Sequence, residues 1–180
     1  MKNIIAATFS LLIISVFFIS CGPSSEEAAK YNDALIAQEA MVLNAERELV
    51  TALTKNMSTA LIDTAYNKLV KQLKTSTDSV KGAGMFDGAT LLKDALLELF
   101  TTYNTVTEKD YTEIIQLNKI SDTLTTMAED FDKKIEITDR IDSILNGAVD
   151  KFDKVHSEFA KKYRLEFTEK DQGVTEEKKK

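Results

Sequence analysis

An all-α fold, an antiparallel up-and-down bundle of four long helices with the last one broken or followed by a fifth, is the architecture this chain predicts. Three observations carry that expectation. Apolar residues recur at steps of three and four from Tyr31 to Phe159, the period of helix faces turned toward a common core. Helix breakers are scarce, with one proline at Pro23 and six glycines in 180 residues, while good helix formers abound. A single cysteine, Cys21, leaves no disulfide to form, so the domain must hold by packing. Short connections between such helices favour antiparallel neighbours.

The chain opens with Met1-Lys2-Asn3 and an apolar run from Ile4 to Ile19, then turns polar at Gly22-Pro23-Ser24-Ser25-Glu26-Glu27. A basic start, a short apolar stretch and a small residue before the cut have the composition of a secretory signal peptide over residues 1–20. The run is shorter than the roughly 20 residues of a membrane span. Phe18-Ile19-Ser20-Cys21 resembles the lipobox of bacterial lipoproteins, with Phe18 in the place of the usual Leu and Ile19 in that of a small residue. The resemblance implies lipidation (palmitate) of Cys21, removal of the leader behind Ser20, and anchoring in a bacterial outer membrane, on the cell surface or the periplasmic face. The alternative is an uncleaved signal anchor with a chance cysteine. Residues 21–27 then form the lipidated cysteine and a short tether, 28–167 the helical bundle domain, and 168–180 a polar tail. Glu26-Glu27 reads either as a loose match to a surface-export signal or as acids favouring the positive end of a helix dipole.

The first helix is expected from Ser25, as N-cap, to about Asn56. Tyr31, Leu35, Val42, Ala45, Leu49 and Ala52 form its stripe, widened by Ile36, Leu43, Val50 and Leu53, with Glu39 and Glu46 among the polar positions. Asn56-Met57-Ser58 interrupts the pattern, and Ser58 or Thr59 caps a second helix. Its apolar face is Ile62, Tyr66, Leu69, Leu73 and Val80, beside Leu61, Ala65 and Val70. Gly82-Ala83-Gly84 is expected to stop it, the glycines taking left-handed conformations. Asp87 is then read as the cap of a third helix burying Leu92, Leu96, Leu99, Phe100, Tyr103 and Val106. Thr107 to Asp110 has capping-box-like spacing and predicts a restart. Leu117, Ile120, Leu124, Met127 and Phe131 continue the stripe, as do Ile141, Leu145, Ala148, Phe152, Val155 and Phe159. One helix over all of this would run about 80 Å, so a break is expected between Lys133 and Asp139, where Thr138 is placed to cap. Gly147 is a weaker candidate.

Composition narrows the chemistry. Of 23 Lys and Arg, Lys2 lies in the leader, so 22 bases face 29 acids in the mature chain, a net charge of −7. Such a chain is ill suited to nucleic acid or to anionic lipid surfaces. His156 is the only histidine and lies beside Phe152 and Ala160 on the buried stripe. A haem held by His156 and one of Met41, Met57 or Met127 can be drawn on paper, but no spacing places them together. Di-iron ligation needs two histidines, and structural zinc needs thiolates and imidazoles that are absent. No Gly-x-Ser-x-Gly elbow and no phosphate-cradling loop occurs. No metal or cofactor is therefore expected. Tyr31-Asn32-Asp33 and Tyr103-Asn104 read as hydrogen-bonded groups at the bundle margin, with a small pocket as the other option.

Lys30-Tyr31-Asn32-Asp33-Ala34-Leu35-Ile36, Tyr103 to Ile115, and Phe159-Ala160-Lys161-Lys162-Tyr163 together resemble a family of uncharacterised α-helical surface lipoproteins of spirochaetes and Bacteroidota. The resemblance implies a helical bundle behind a lipid anchor and brings no catalytic residues. The function expected is a non-enzymatic binding or interaction module, attached to the membrane through its N-terminal lipid, with an unknown protein or small-molecule partner. The alternative is a carrier of a small molecule or cofactor in a bundle cavity.

Overall fold

The computed structural model describes residues 22–120 and 124–165, the side chains of 120 and 124–128 apart. Cys21, the leader, the tail from 166, and the core roles expected of Ile120, Leu124 and Met127 lie outside the described residues. Within them the protein is a helical bundle: α1 Ser25–Thr54, α2 Thr59–Gly82, α3 Leu91–Val106, a π-helical turn Thr107–Tyr111, α4 Thr112–Ile120, and α5 Leu124–Tyr163.

The first helix is capped one residue earlier than expected. Ser24, not Ser25, is the N-cap: its Oγ accepts from the Glu27 N–H at 3.2 Å, and the Glu27 carboxylate accepts from the Ser24 N–H at 2.8 Å. Only Ser24 has an acid three residues on that can return the bond; Ser25 has Ala28 there. Glu26 and Glu27 thus belong to the first helical turn. At the other end Asn56 is left-handed, at φ 47°. The N–H groups of Asn56 and Met57 reach back to Leu53 and Ala52, a Schellman closure with asparagine in glycine's place. Arg164, at φ 56°, closes α5 the same way through Leu165 and Ala160. Ser58 stands at the N-cap of α2, with no side-chain bond to the helix.

The next turn corrects two expectations. Neither Gly82 nor Gly84 is left-handed; Ala83 after α2 is extended, and the positive φ values fall at Asp87 and Gly88. Phe86 and Ala89 exchange both backbone hydrogen bonds at 3.0 Å around that pair, so Asp87-Gly88 makes the tight primed turn that Asp-Gly sequences favour. Asp87 therefore caps nothing, and Thr90 occupies the N-cap position of α3. The Asp87 carboxylate instead accepts from Lys162 Nζ at 2.9 Å and the Tyr163 hydroxyl at 2.7 Å. Phe86 stacks on Tyr31 with ring centroids 5.0 Å apart and meets Tyr163 edge-on at 5.2 Å. Aromatics from α1, the turn and α5 thus seal this end of the bundle.

All six residues expected for the buried side of α3 are buried there. The restart at Thr107 does not occur, because Thr107 has helical φ and ψ where an N-cap must be extended. The chain instead widens by one residue into the π-helical turn and continues into α4. Thr107, Asp110 and Tyr111 are all buried in it.

The expected break between Lys133 and Asp139 is also absent. α5 runs unbroken for 40 residues, about 60 Å, and Thr138 caps nothing: its hydroxyl donates to Lys134 O at 2.8 Å inside the helix. The chain reverses earlier, between α4 and α5. The stripe from Leu117 to Phe131 therefore spans two antiparallel helices, and Phe131 is 62 % exposed rather than in the core. Val50, Leu61 and Val70 are exposed as well, so the stripes of α1 and α2 are narrower than expected.

Cross-helix contacts fix an up-down-up-down order. Gln38 and Glu48 of α1 meet Ser76 and Lys68 of α2. Asp63 and Tyr66 of α2 meet Lys119 and Thr112 of α4. Glu98 of α3, Asp110 of the turn and Glu113 of α4 meet Lys151, Arg140 and Lys133 of α5. Residue numbers rise along one partner as they fall along the other in every case. The third column is thus α3, the π-turn and α4 in one line, and α5 is the fourth. The core between them is nearly all aliphatic, joined by Phe100, Tyr103, Tyr111 and Phe152. Phe152, 1 % exposed, truncated to Ala should cost about 3–5 kcal/mol. Lys154→Ala, on the exposed side of the same helix, should stay within about 0.5 kcal/mol. Urea denaturation decides this, and equal losses would show that the core face of α5 is misplaced.

Candidate functional site

Three of the four neighbouring helix pairs meet through packed side chains along their length, but α1 and α5 make almost no close backbone approach. Side chains at heptad spacing, all but Val149 polar, line both sides of this seam. On α1 they are Asn32, Glu39 and Glu46; on α5 the same spacing holds Asp142, Val149 and His156. Seven residues are nearly two helical turns, so each set forms one line along its helix. Antiparallel register pairs Asn32 with His156 and Glu46 with Asp142, with Glu39 near Asp153.

The seam changes character along its length. At the end near the Asp87 turn, His156 Nε2 and Asn32 Oδ1 share a hydrogen bond of 2.8 Å, and the imidazole stacks on Phe152 at 5.7 Å. This ties the two helices together. The amide of Tyr31-Asn32-Asp33 thus meets the only histidine, while the Tyr31 hydroxyl donates to Gly84 O at 3.3 Å. Asn104, by contrast, bonds Glu108 on its own helix face and is remote from this contact in the chain. In the middle, Glu39 is half-buried; burial, with the Asp153 charge nearby, pushes its carboxyl up to about 7. Glu46 is raised too, first by burial, an effect opposed by hydrogen bonds from Tyr111 and Tyr103. The Tyr111 hydroxyl donates to Glu46 Oε1 at 2.8 Å. Burial and the Glu46 charge push both phenols up, so they stay protonated as donors. Asp153 is raised, chiefly by burial.

Behind the seam, Arg140 donates from Nε to Asp110 Oδ1 at 2.8 Å and approaches Glu113 at 3.3 Å. Asp110 is buried, and this pair binds α5 to the π-turn. Thr107 Oγ1, in the same turn, is a buried side-chain oxygen without a partner among the described residues, a cost of about 1–3 kcal/mol.

Chemically the seam can hold and share protons and can present carboxylates. Its groups do not converge as ligands: among the described residues no three His, Cys, Asp or Glu form a metal-holding group. The haem arrangement fails on distance for Met57, which lies beyond the far end of α1, and the helix from Asn32, the partner of His156, to Thr54 alone spans about 33 Å. Met41 points to solvent, 48 % exposed. Between α3 and α5 a shallow cleft of about 370 Å³ is lined by Ala95, Leu99, Gly147, Ala148, Phe152 and Val155 among others. Sequence reasoning sets Glu39 and Glu46 among the polar positions off the stripe, reads Asp110 as a capping acid where it binds Arg140, and gives Tyr111 and Arg140 no role. The usable signal was the seven-residue spacing from Asn32 to Glu46, matched by that from Asp142 to His156. Cys21, the one site residue expected from the sequence, lies outside the described residues.

Glu39 has a pH signature. Its folded-state value near 7 lies above its ordinary 4.5, so the stability tied to its neutral form is complete below about pH 4.5 and lost as pH rises through 7. Glu39→Gln keeps the position neutral. The variant should exceed the parent at pH 8 by on the order of 1–2 kcal/mol, with the gap closing toward pH 4.5. Urea titrations at the two pH values check it; a gap that does not change with pH would refute the assignment.

No described helix is long and apolar enough to cross a membrane. Comparison of the chain with protein-family models, with curated proteins and with solved structures gives no match.

Proposed function

We propose that the chain is a lipid-anchored bacterial envelope protein whose helical domain is a non-enzymatic binding or interaction module. One observation carries most weight. The capping box at Ser24 and Glu27 starts α1 only three residues behind Cys21, and α1 then runs 30 residues, about 45 Å. A diacylglyceryl group on Cys21 would therefore hold a short-tethered rod, with the Asp87 turn near the lipid and the α1–α2 turn far from it. That geometry suits a device that presents a surface at a distance from a membrane. The polar groups of the interior support the same reading, since Asp110, Arg140, Tyr111, Asn32 and His156 are spent on joining helices. The outer membrane, at the surface or the periplasmic face, is the proposed location, in keeping with the resemblance to surface lipoproteins.

The carrier reading has one feature in its favour, the cleft between α3 and α5. Its small residues Ala95, Gly147 and Ala148 leave room for a ligand of modest size. A mass-shifted or coloured protein purified from its own envelope would favour it.

The anchor itself is tested by labelling. Wild-type chain should take up radiolabelled palmitate and stay with the membrane fraction, because two or more acyl chains anchor stably. Cys21→Ser should lose the label and leave the membrane. Equal incorporation by both would remove the lipid-anchor reading.

A further inference from the structure

The end of the α1–α5 seam farthest from Ser25 is open, and it is apolar. Phe131 and Ile135 lie one turn apart on α5 and are 62 % and 47 % exposed; on α1, Val50, one turn beyond Glu46, is 37 % exposed. Ile135 continues the line of Asp142, Val149 and His156 by one more heptad, and Leu53 continues that of Asn32, Glu39 and Glu46. The register that sets His156 against Asn32 sets Ile135 against Leu53. Leu53 and Met57 are half-buried beside this strip, packed against the core. The two helices thus carry facing apolar residues that their own contact does not cover.

Charge says what would cover them. Asp132 and Asp139 flank Ile135 on α5 at one helical turn, with Asp142 a further turn on, and all three are exposed. None of them forms an ion pair among the described residues. Glu46 borders the strip from α1. Of the neighbouring cations, Lys133 and Arg140 turn the other way, onto Glu113 and Asp110, and Arg47 bonds Asn44 on its own helix, while Lys134 and Lys55 form no ion pair among the described residues; the three aspartates outnumber those two. A second copy of the chain would bring like charges together, and an anionic lipid surface would be repelled.

We propose that this strip docks a basic amphipathic helix of a partner protein, its Leu- or Phe-like face on Val50, Phe131 and Ile135 and its Lys or Arg rows over Asp132, Asp139 and Asp142. This is the helix-in-groove mode, in which apolar anchors supply contact and flanking charges supply direction. The inference rests on the interaction-module reading and names the partner class for it. Its place on the rod, about 38 Å along α1 from Ser25, is where a partner could reach it clear of the bilayer.

The test uses the purified chain carrying Cys21→Ser and a fluorescent helical peptide of Lys and Leu, about 14 residues long, four turns. Two controls accompany it: the same composition scrambled to destroy the apolar face, and a Glu-for-Lys version. Fluorescence anisotropy should show micromolar binding of the amphipathic basic peptide, and binding of each control weaker by roughly tenfold or more. Phe131→Ser with Ile135→Ser should weaken binding by roughly tenfold, as should Asp132→Lys with Asp139→Lys. All four positions are exposed, so circular dichroism and melting should be unchanged. Equal binding of the scrambled peptide, or no response to Phe131→Ser with Ile135→Ser, would overturn the proposal in favour of unspecific charge attraction. A dimer by sedimentation that these two changes dissociate would overturn it in favour of a second copy. Absence of peptide binding, with palmitate uptake by the wild-type chain intact, would reject this partner class alone. Loss of palmitate labelling would reject the anchor and leave the titration standing.

Discussion

The contact between Arg140 and Asp110 sets where α5 lies, and most of the polar structure follows from that. A carboxylate with only 3 % of its side chain exposed cannot stay charged in an apolar interior without a partner close at hand. Arg140 meets it at 2.7–2.8 Å and reaches Glu113 as well. Sliding α5 by one turn would carry the guanidinium about 5.4 Å away and strand Asp110. Such pairs add little net stability over an apolar replacement, but they reject wrong registers strongly. A helix of 40 residues with a repetitive stripe needs a device of that kind, since its apolar residues alone would pack nearly as well one heptad along.

Once that register is set, the α1–α5 seam is determined. His156 falls opposite Asn32 and the two close one end. Glu46 falls near Asp142, and Glu39 near Asp153. Carboxylates that face each other across a seam do not draw helices together. Tyr111 and Tyr103 offset this for Glu46 by donating to it from the third column; Glu39 is left to hold its proton more firmly. The fourth seam of the bundle therefore stays looser than the other three, and its open end is where Phe131 and Ile135 remain uncovered. Electrostatic mismatch in the middle of the seam and apolar exposure at its end are two consequences of one register.

The apolar periodicity was enough to place the buried faces. Leu92, Leu96, Leu99, Phe100, Tyr103 and Val106 are buried as a set, and so are Leu35, Val42, Ala45, Leu49 and Ala52. Periodicity failed where the direction of the chain matters more than its face. The steps of three and four run on through Leu117 and Phe131 although the helix reverses between them, because both helices present the same period to the same core. Turn chemistry failed by small displacements: glycine was assigned the left-handed role at 82 and 84, while Asp87-Gly88 holds it four residues later. The Thr107 to Asp110 spacing looked like a cap, and Asp110 is instead spent on Arg140. No local pattern announces that, since its partner is 30 residues away.

The polar seam was hidden for a related reason. Glu39 and Glu46 taken singly look like the solvated side of an amphipathic helix, the commonest place for a glutamate. Only the pairing of two heptad lines, one from each end of the chain, reveals that they face another helix. A bundle built only for stability would put leucines at those positions. Glu39, held neutral by burial and raised to about 7, costs stability above neutral pH and gives nothing back to the core. Sequences carry such residues where a seam must not close completely, because buried polar groups at regular spacing limit how tightly two helices can zip. The open end of this seam then follows from the same restraint that loosens its middle. One weak seam, tied shut where Asn32 meets His156 and uncovered at Phe131 and Ile135, leaves the two ends of the bundle unlike.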